Sequence, residues 1–177
     1  MFKDRLKKIR KEISKSKKGI RSFVFNSFVI AISLWVMFYF IIGVGSVESY
    51  DMTPAMNIGD WIIYSRINKT PISQDVIAFE KDGEVCVSRV MAVPGDTVEI
   101  TEEGSVLVNG NIIIEERIYS LTYPYPEFVS YPITLGEDEY FVLGDNRKSG
   151  VDSRYYGTVK EDEILGTIIM VIRSNNF

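Results

Sequence analysis

The sequence predicts a mainly β domain, its sheets closed into a barrel or packed as a sandwich, carried on one N-terminal transmembrane helix. Three observations predict it: a long apolar run without charge, a basic block directly before that run, and a series of short β-branched and aromatic runs after it. The 177 residues suffice for one core-bearing domain and a tail.

The apolar run comes first because it fixes the domain plan. Ser22 to Val47 contains no charged residue, and 26 residues at 1.5 Å each would make a helix of about 39 Å, against a hydrocarbon core of about 30 Å. A cleaved signal peptide would have a shorter apolar region and a small-residue cleavage site, for which GVGSVES is a poor candidate. A buried core helix would need a larger domain to surround it. The expected plan is a basic cytoplasmic segment (1–21), a transmembrane helix (22–47) and an extracytoplasmic β domain (48–177).

Charge sets the orientation. The net charge is −4, yet the first 21 residues carry ten Lys/Arg against Asp4 and Glu12. The block Lys7, Lys8, Arg10, Lys11, Lys15, Lys17, Lys18 and Arg21 is expected to stay cytoplasmic and to rest on anionic headgroups. A basic run could also bind nucleic acid, but beside a spanning helix the membrane is the expected partner. The chain therefore reads as a single-pass plasma-membrane protein with its C-terminal domain outside.

In the exterior part WIIYSRI, DVIAFEK, EVCVSRVMAV, TVEIT, SVLVN, NIIIEER, EYFVLG and GTIIMVIRS read as strands separated by turn signals. Asn109-Gly110 between SVLV and NIII predicts a two-residue hairpin with positive φ at both positions. YSLTYPYPEFVSYP, residues 119–132, is expected to be an extended surface connection, either a plain loop or a face for a partner. Histidine is absent, which removes Ser-His-Asp and Cys-His catalysis and His-based metal sites; no cofactor or metal is expected. Cys86 is the sole cysteine and is expected to be a packed small hydrophobe.

Three segments carry more information than their strand pattern: DMTPAMNIGDWII (51–63), SRVMAVPGD (88–96) and GDNRKSGVDSRYYG (144–157). Together with the spanning helix, and in this order, they resemble the type I signal peptidases, membrane-anchored serine proteases of the S26 type that use a Ser-Lys dyad to remove signal peptides. The resemblance covers essentially the whole chain and implies a signal-peptidase-like β domain. Matching positions are Ser49 (an oxyanion-hole contributor in some members), Met52, Pro54, Gly59, Asp60, Arg89, Pro94, Gly95, Asp96, Asp145, Asn146, Arg147, Asp152, Ser153 and Arg154. The departures fall on the chemistry. The nucleophilic Ser corresponds to Asp51, the general-base Lys to Ser88, the Ser that supports that Lys to Gly150, with Ser149 one place off, and the motif Thr to Ala55.

A Ser-Lys dyad needs a lysine made neutral by burial and a hydroxyl to release its proton; a carboxylate beside that lysine would hold it charged. With Asp51 and Ser88 instead, the expectation is a hydrogen-bonded polar patch in which the Ser88 hydroxyl, or a water, donates to the Asp51 carboxylate. Three routes back to hydrolysis remain open. Asp51 could act as base toward Ser88, although a carboxylate of pKa about 4 is poorly matched to a hydroxyl. It could share a proton with Asp145 or Asp152, although those acids are expected to pair with Arg89, Arg147 or Arg154. Cys86, on the Ser88 face of its strand, could serve as nucleophile, although nothing obvious activates it.

The resemblance further implies binding of an extended peptide along a strand edge, which needs no dyad. It extends to the dyad-less signal-peptidase-like proteins of Gram-positive bacteria that assist polymerisation of sortase-linked pili. Three functions are carried forward: a non-catalytic accessory or chaperone protein for pilin or another secreted client, with sortase as a further partner; an active signal peptidase with an unorthodox site; and a scaffold for other secretion enzymes.

Overall fold

The computed structural model describes residues 2–115, 118, 120–125 and 127–174, with side chains from residue 17 onward. The chain divides after Phe40 into two compact units. The first is the helix α1 (Phe2–Ile41), whose segment Lys17–Ile41 is long and apolar enough to cross a membrane and is not buried by protein. Lys17, Lys18 and Arg21 on it are exposed; the side chains of Lys7, Lys8, Arg10, Lys11 and Lys15 lie outside the described residues.

The helix ends at Ile41, short of the expected 47, and Ile42–Ser46 forms the first strand, β1. The correction has a physical cause. β-Branched Val44 between two glycines favours extended backbone, and a strand partner is available: Ile42 to Ser46 pair antiparallel with Ser65 to Trp61. Apolar composition alone could not tell a spanning residue from a sheet residue.

Ten strands follow in the second unit: β2 (Trp61–Ser65), β3 (Val76–Lys81), β4 (Glu84–Ala92), β5 (Thr97–Ile100), β6 (Val106–Val108), β7 (Asn111–Ile112), β8 (Ile133–Thr134), β9 (Glu139–Leu143), β10 (Val159–Lys160) and β11 (Ile164–Ile172), with the one-turn helix α2 (Ser153–Tyr156) between β9 and β10. They form two antiparallel sheets, one in the order β1-β2-β11-β3-β4-β9-β10 and one in the order β7-β6-β5-β8. The protein is thus mainly β with an N-terminal apolar helix. Alternation along the strands builds the core on both sides of the large sheet: Ile77, Phe79, Val90 and Val142 pack together on one face, while Ala78 and Val87 pack with Met52, Met56 and Ile62 on the other. A third cluster of Met91, Val98, Leu135, Phe141 and Leu143 joins the small sheet to the large one.

Asn109 and Gly110 turn the β6–β7 hairpin with φ of 53° and 77°, the pair of positive values that a type I′ turn requires. The stretch 119–132 differs from a plain surface loop. Thr122 and Val129 are buried, the Thr122 N–H donates to Gly104 O at 3.0 Å, and Tyr125 and Phe128 pack on Tyr155. Three prolines and several tyrosines read as loop composition, but the backbone is pinned through a hydroxyl and aromatic rings; Tyr119 and Pro126 lie outside the described residues.

Candidate functional site

Three distant segments meet at one place. After β1 the chain turns through Ser49-Tyr50-Asp51, and Met52 and Met56 enter the core as anchors. The turn is tied to the segment after β9: Asn146 donates its N–H to Asp51 O (2.8 Å) and its side-chain amide to Tyr50 O (3.2 Å). Each oxygen of the Asp51 carboxylate accepts a hydrogen bond. Its Oδ2 accepts from the Ser49 hydroxyl at 2.7 Å and its Oδ1 from the Val151 N–H at 3.0 Å.

Asp51 is thus part of a hydrogen-bonded patch, but its direct partners differ from the Ser88 hydroxyl expected. Asp51 is satisfied by Ser49 and by main chain, not by a direct hydrogen bond from Ser88, because the loop after Arg147 presents an N–H that sequence distance hides. Ser49 is equally committed: a hydroxyl has one proton, and here it points at Asp51.

Ser88 lies in β4 opposite Ile77 and is buried, with 1% of its surface exposed. On the same face stand Cys86 and the Tyr156 ring, both packed against the Ile77 and Phe79 cluster. The Tyr156 hydroxyl is enclosed without a hydrogen bond of good geometry. Burial pushes its pKa far up, nearby acids including Asp152 and Asp51 add to this, and the Ser88 hydroxyl opposes it weakly. Cys86 is half-buried and lines the cleft, so it is a wall residue and not the enclosed core residue expected. Burial, and after it the carboxylates of Asp51, Glu84 and Asp82, push the thiol pKa above its ordinary value, with Lys81 opposing them. That environment favours the neutral thiol.

The cleft in front of these residues has a volume of about 340 Å³ and is lined by Glu48, Ser49, Asp51, Lys81, Cys86, Val151 and Tyr156 among others. Lys81 supplies its one amine. The ammonium pairs with Glu163 at 2.9 Å and sits 5.5 Å from the centre of the Tyr156 ring. Sequence reading missed Lys81, Tyr156 and Val151. Val151 and Tyr156 lie within the 144–157 motif but not at its matching positions, and no local signal marks Lys81, whose contact with Glu163 spans 82 positions.

The remaining motif residues build the frame. Arg89 grips Asp145 with two hydrogen bonds, Nε at 2.9 Å and Nη2 at 2.7 Å, which ties β4 to the end of β9. Buried Arg147 donates to Gly144 O (2.9 Å), Thr122 Oγ1 (2.6 Å) and the Glu115 carboxylate. Asp152 and Arg154, both 0% exposed, form a two-pronged pair at 2.8 and 2.9 Å, and Asp152 also accepts the N–H of Gly144 at 3.0 Å. Ser153 accepts the Val142 N–H at 3.0 Å. Asp145 and Asp152 are thus both held by arginine, and neither shares a proton-bridging contact with Asp51. Gly150 sits tightly in this frame: a Cβ there would meet Asn146 O at 2.8 Å, so a serine could enter only if the loop moved.

Among the described residues no group of His, Cys, Asp and Glu could hold a metal ion. Exposed Pro54 and the 144–154 loop flank a second groove of about 700 Å³, lined also by Thr53, Leu121, Tyr123 and Lys148.

The chain can now be set beside known proteins. A family model described as "Signal peptidase, peptidase S26" matches residues 20–173. "Probable signal peptidase I-2" of Synechocystis is 29% identical over 131 residues, covering 68% of this chain and 58% of the relative. "Signal peptidase I" of Leptolyngbya laminosa is 30% identical over 137 residues, 70% of this chain and 65% of the relative. "Signal peptidase IB" of Staphylococcus aureus is 26% identical over 170 residues, 86% of this chain and 88% of the relative. The chain therefore spans less than two thirds of the length of the two cyanobacterial relatives. The crystal structure of a signal peptidase I from Enterococcus faecalis aligns with a TM-score of 0.49 at 30% identity, covering 58% of this chain and 99% of that one. With the match running from the apolar helix through the Asp152-Ser153-Arg154 frame to β11, the chain belongs to the type I signal peptidase family, peptidase S26.

Proposed function

We propose that this protein is a non-catalytic, membrane-anchored member of its family that holds an extended segment of a secreted client, in the first instance a pilin destined for a sortase-linked pilus. The observation that carries the reading is the state of Asp51. At the nucleophile position stands a carboxylate with no proton to release, held by Ser49 Oγ and the Val151 N–H. At the base position stands buried Ser88, and the cleft's amine, Lys81, is neutralised by Glu163. The Lys81 ammonium donates to both oxygens of that carboxylate, so it is directed at Glu163 and not at a hydroxyl.

Binding has its own support. β4 pairs with β3 along Glu84–Arg89 but with β9 only from Arg89 onward, and of the stretch without a second partner Glu84–Cys86 is accessible and lines the cleft, so Glu84–Cys86 present an open edge there. An extended peptide can add there through main-chain hydrogen bonds. In this reading Lys17–Ile41 spans the plasma membrane, the basic N-terminus stays in the cytoplasm, and the β domain faces outward.

The names of the relatives favour a second reading, an active signal peptidase with an unorthodox site. Deleting the gene and blotting for surface polymers and for mature secreted proteins separates the two. Loss of polymers with normal signal-peptide removal is expected; unprocessed precursors would contradict the proposal and support the peptidase.

A further inference from the structure

The β domain is acidic as a whole, yet one spot on it gathers two cations that form no ion pair among the described residues. Past β2 the chain bends through Arg66-Ile67-Asn68-Lys69, and Arg66 and Lys69 line a small cleft of about 130 Å³ with Tyr64 and Leu165. The guanidinium lies 5.9 Å from the centre of the Tyr64 ring, whose residue is itself buried. Neither cation forms an ion pair among the described residues. Ile67 between them is 69% exposed.

The bend is fixed in place. The Thr167 hydroxyl donates to Asn68 O at 3.4 Å, and the Arg66 N–H donates to Ile41 O at 2.9 Å. The second bond decides the location, because Ile41 is the last residue of the span-length segment Lys17–Ile41. If that segment crosses a bilayer, Ile41 stands where the chain leaves the hydrocarbon, and the headgroup layer beyond it is only about 5–7 Å deep. Arg66, bonded to that residue, is then within reach of the phosphate level, and Lys69 follows it by three residues.

We propose that Arg66 and Lys69 form a binding site for the phosphate of an anionic phospholipid in the leaflet where the span emerges. A guanidinium fork offers two parallel donors to phosphate oxygens and an ammonium adds a point charge. The stacking of Arg66 on Tyr64 pre-orients the fork and reduces the ordering cost of binding. The site is separate from the N-terminal basic block, which would face the opposite leaflet.

The inference rests on the reading of Lys17–Ile41 as a span, and the test separates the two. The full chain is inserted into nanodiscs of phosphatidylcholine alone or with phosphatidylglycerol, and amide hydrogen exchange is followed over residues 64–70. Co-elution of chain and disc on size exclusion reports the span independently, and a chain that fails to enter the disc overturns the span and this site with it. The expected result is exchange slowed by up to roughly thirtyfold in the anionic discs, the factor for two cations near an anionic surface, with no slowing in Arg66→Gln/Lys69→Gln and unchanged exchange in β3 and β9 as the folding control. Equal exchange in both lipids, equal slowing in the double variant, or the same slowing produced by inorganic phosphate with phosphatidylcholine discs would each overturn the proposal.

Discussion

Replacing Asp152 with Asn tests whether the last motif is a structural frame. The carboxylate accepts four hydrogen bonds: Arg154 Nε at 2.8 Å, Arg154 Nη2 at 2.9 Å, Arg154 N–H at 3.1 Å and Gly144 N–H at 3.0 Å. Asparagine keeps one oxygen acceptor, but because Arg154 donates to both oxygens its NH2 faces a guanidinium N–H in either orientation, and it leaves the buried Arg154 charge without a counterion. Removing one partner of a buried pair costs about 3–5 kcal/mol, a large share of a typical stability of about 5–15 kcal/mol. With a urea slope of about 2 kcal/mol per M, the unfolding midpoint should fall by about 2 M. The assay is urea unfolding of the full chain in detergent, followed by near-UV circular dichroism of the β domain. The charge-free double variant Asp152→Leu/Arg154→Met should recover part of the loss, since it strands no ion. A change below about 1 kcal/mol in Asp152→Asn would refute the argument that the frame depends on this pair.

Three further outcomes follow from the geometry. The double variant Asp51→Ser/Ser88→Lys should stay roughly tenfold to a hundredfold less active on a signal-peptide substrate than a signal peptidase I assayed alongside, the worth of one missing buried hydrogen bond to the new lysine; adding Gly150→Ser should not rescue it, because its Cβ would meet Asn146 O at 2.8 Å, and cleavage equal to the relative's would contradict this. Alkylation of Cys86 followed against pH should show a midpoint above the ordinary 9.0, moving down in Asp51→Asn as one raising carboxylate is removed; an unchanged midpoint would place Asp51 too far away to matter. Asp60 accepts the N–H of Asn57, which with Ser174 and Arg173 holds its pKa below the ordinary 3.8 against the effect of burial. Its contribution is therefore complete above the unfolded value and lost as pH falls through the lower folded one. Asp60→Asn should be less stable than the parent at neutral pH, with the gap closing below about pH 3.8, and a gap that widens toward acid would reverse the sign.

How much of this was legible in the sequence differs by element. The strands written as short continuous apolar runs between turn signals, such as VIAFEK and EYFVL, stand close to where the runs place them, and the Asn109-Gly110 turn needed only the two residues that tolerate positive φ. β1 was hidden, because an apolar strand that continues an apolar helix has no composition change at the boundary. β8 and β10, two residues each, are too short to carry a periodic signal, and their existence depends on partners. At the site, the three motif segments named Asp51, Ser88 and the arginine frame, since each lies within a contiguous run. The partners that decide its chemistry did not follow from local sequence. Val151 reaches Asp51 across 100 positions, and Glu115, an unremarked acid in a strand-like run, closes on Arg147 across 32. Those contacts are set by tertiary packing, to which residue spacing is blind.

Cleavage itself is the most direct measurement. The full chain, in detergent, is incubated with a signal-peptide-bearing precursor, and products and protein-bound acyl adducts are followed by mass spectrometry. With a carboxylate at position 51 and no free amine in the cleft, neither product above buffer nor an adduct is expected. Turnover that vanishes in Asp51→Ala or Ser88→Ala, or an acyl group found on Ser88 or Cys86, would contradict it.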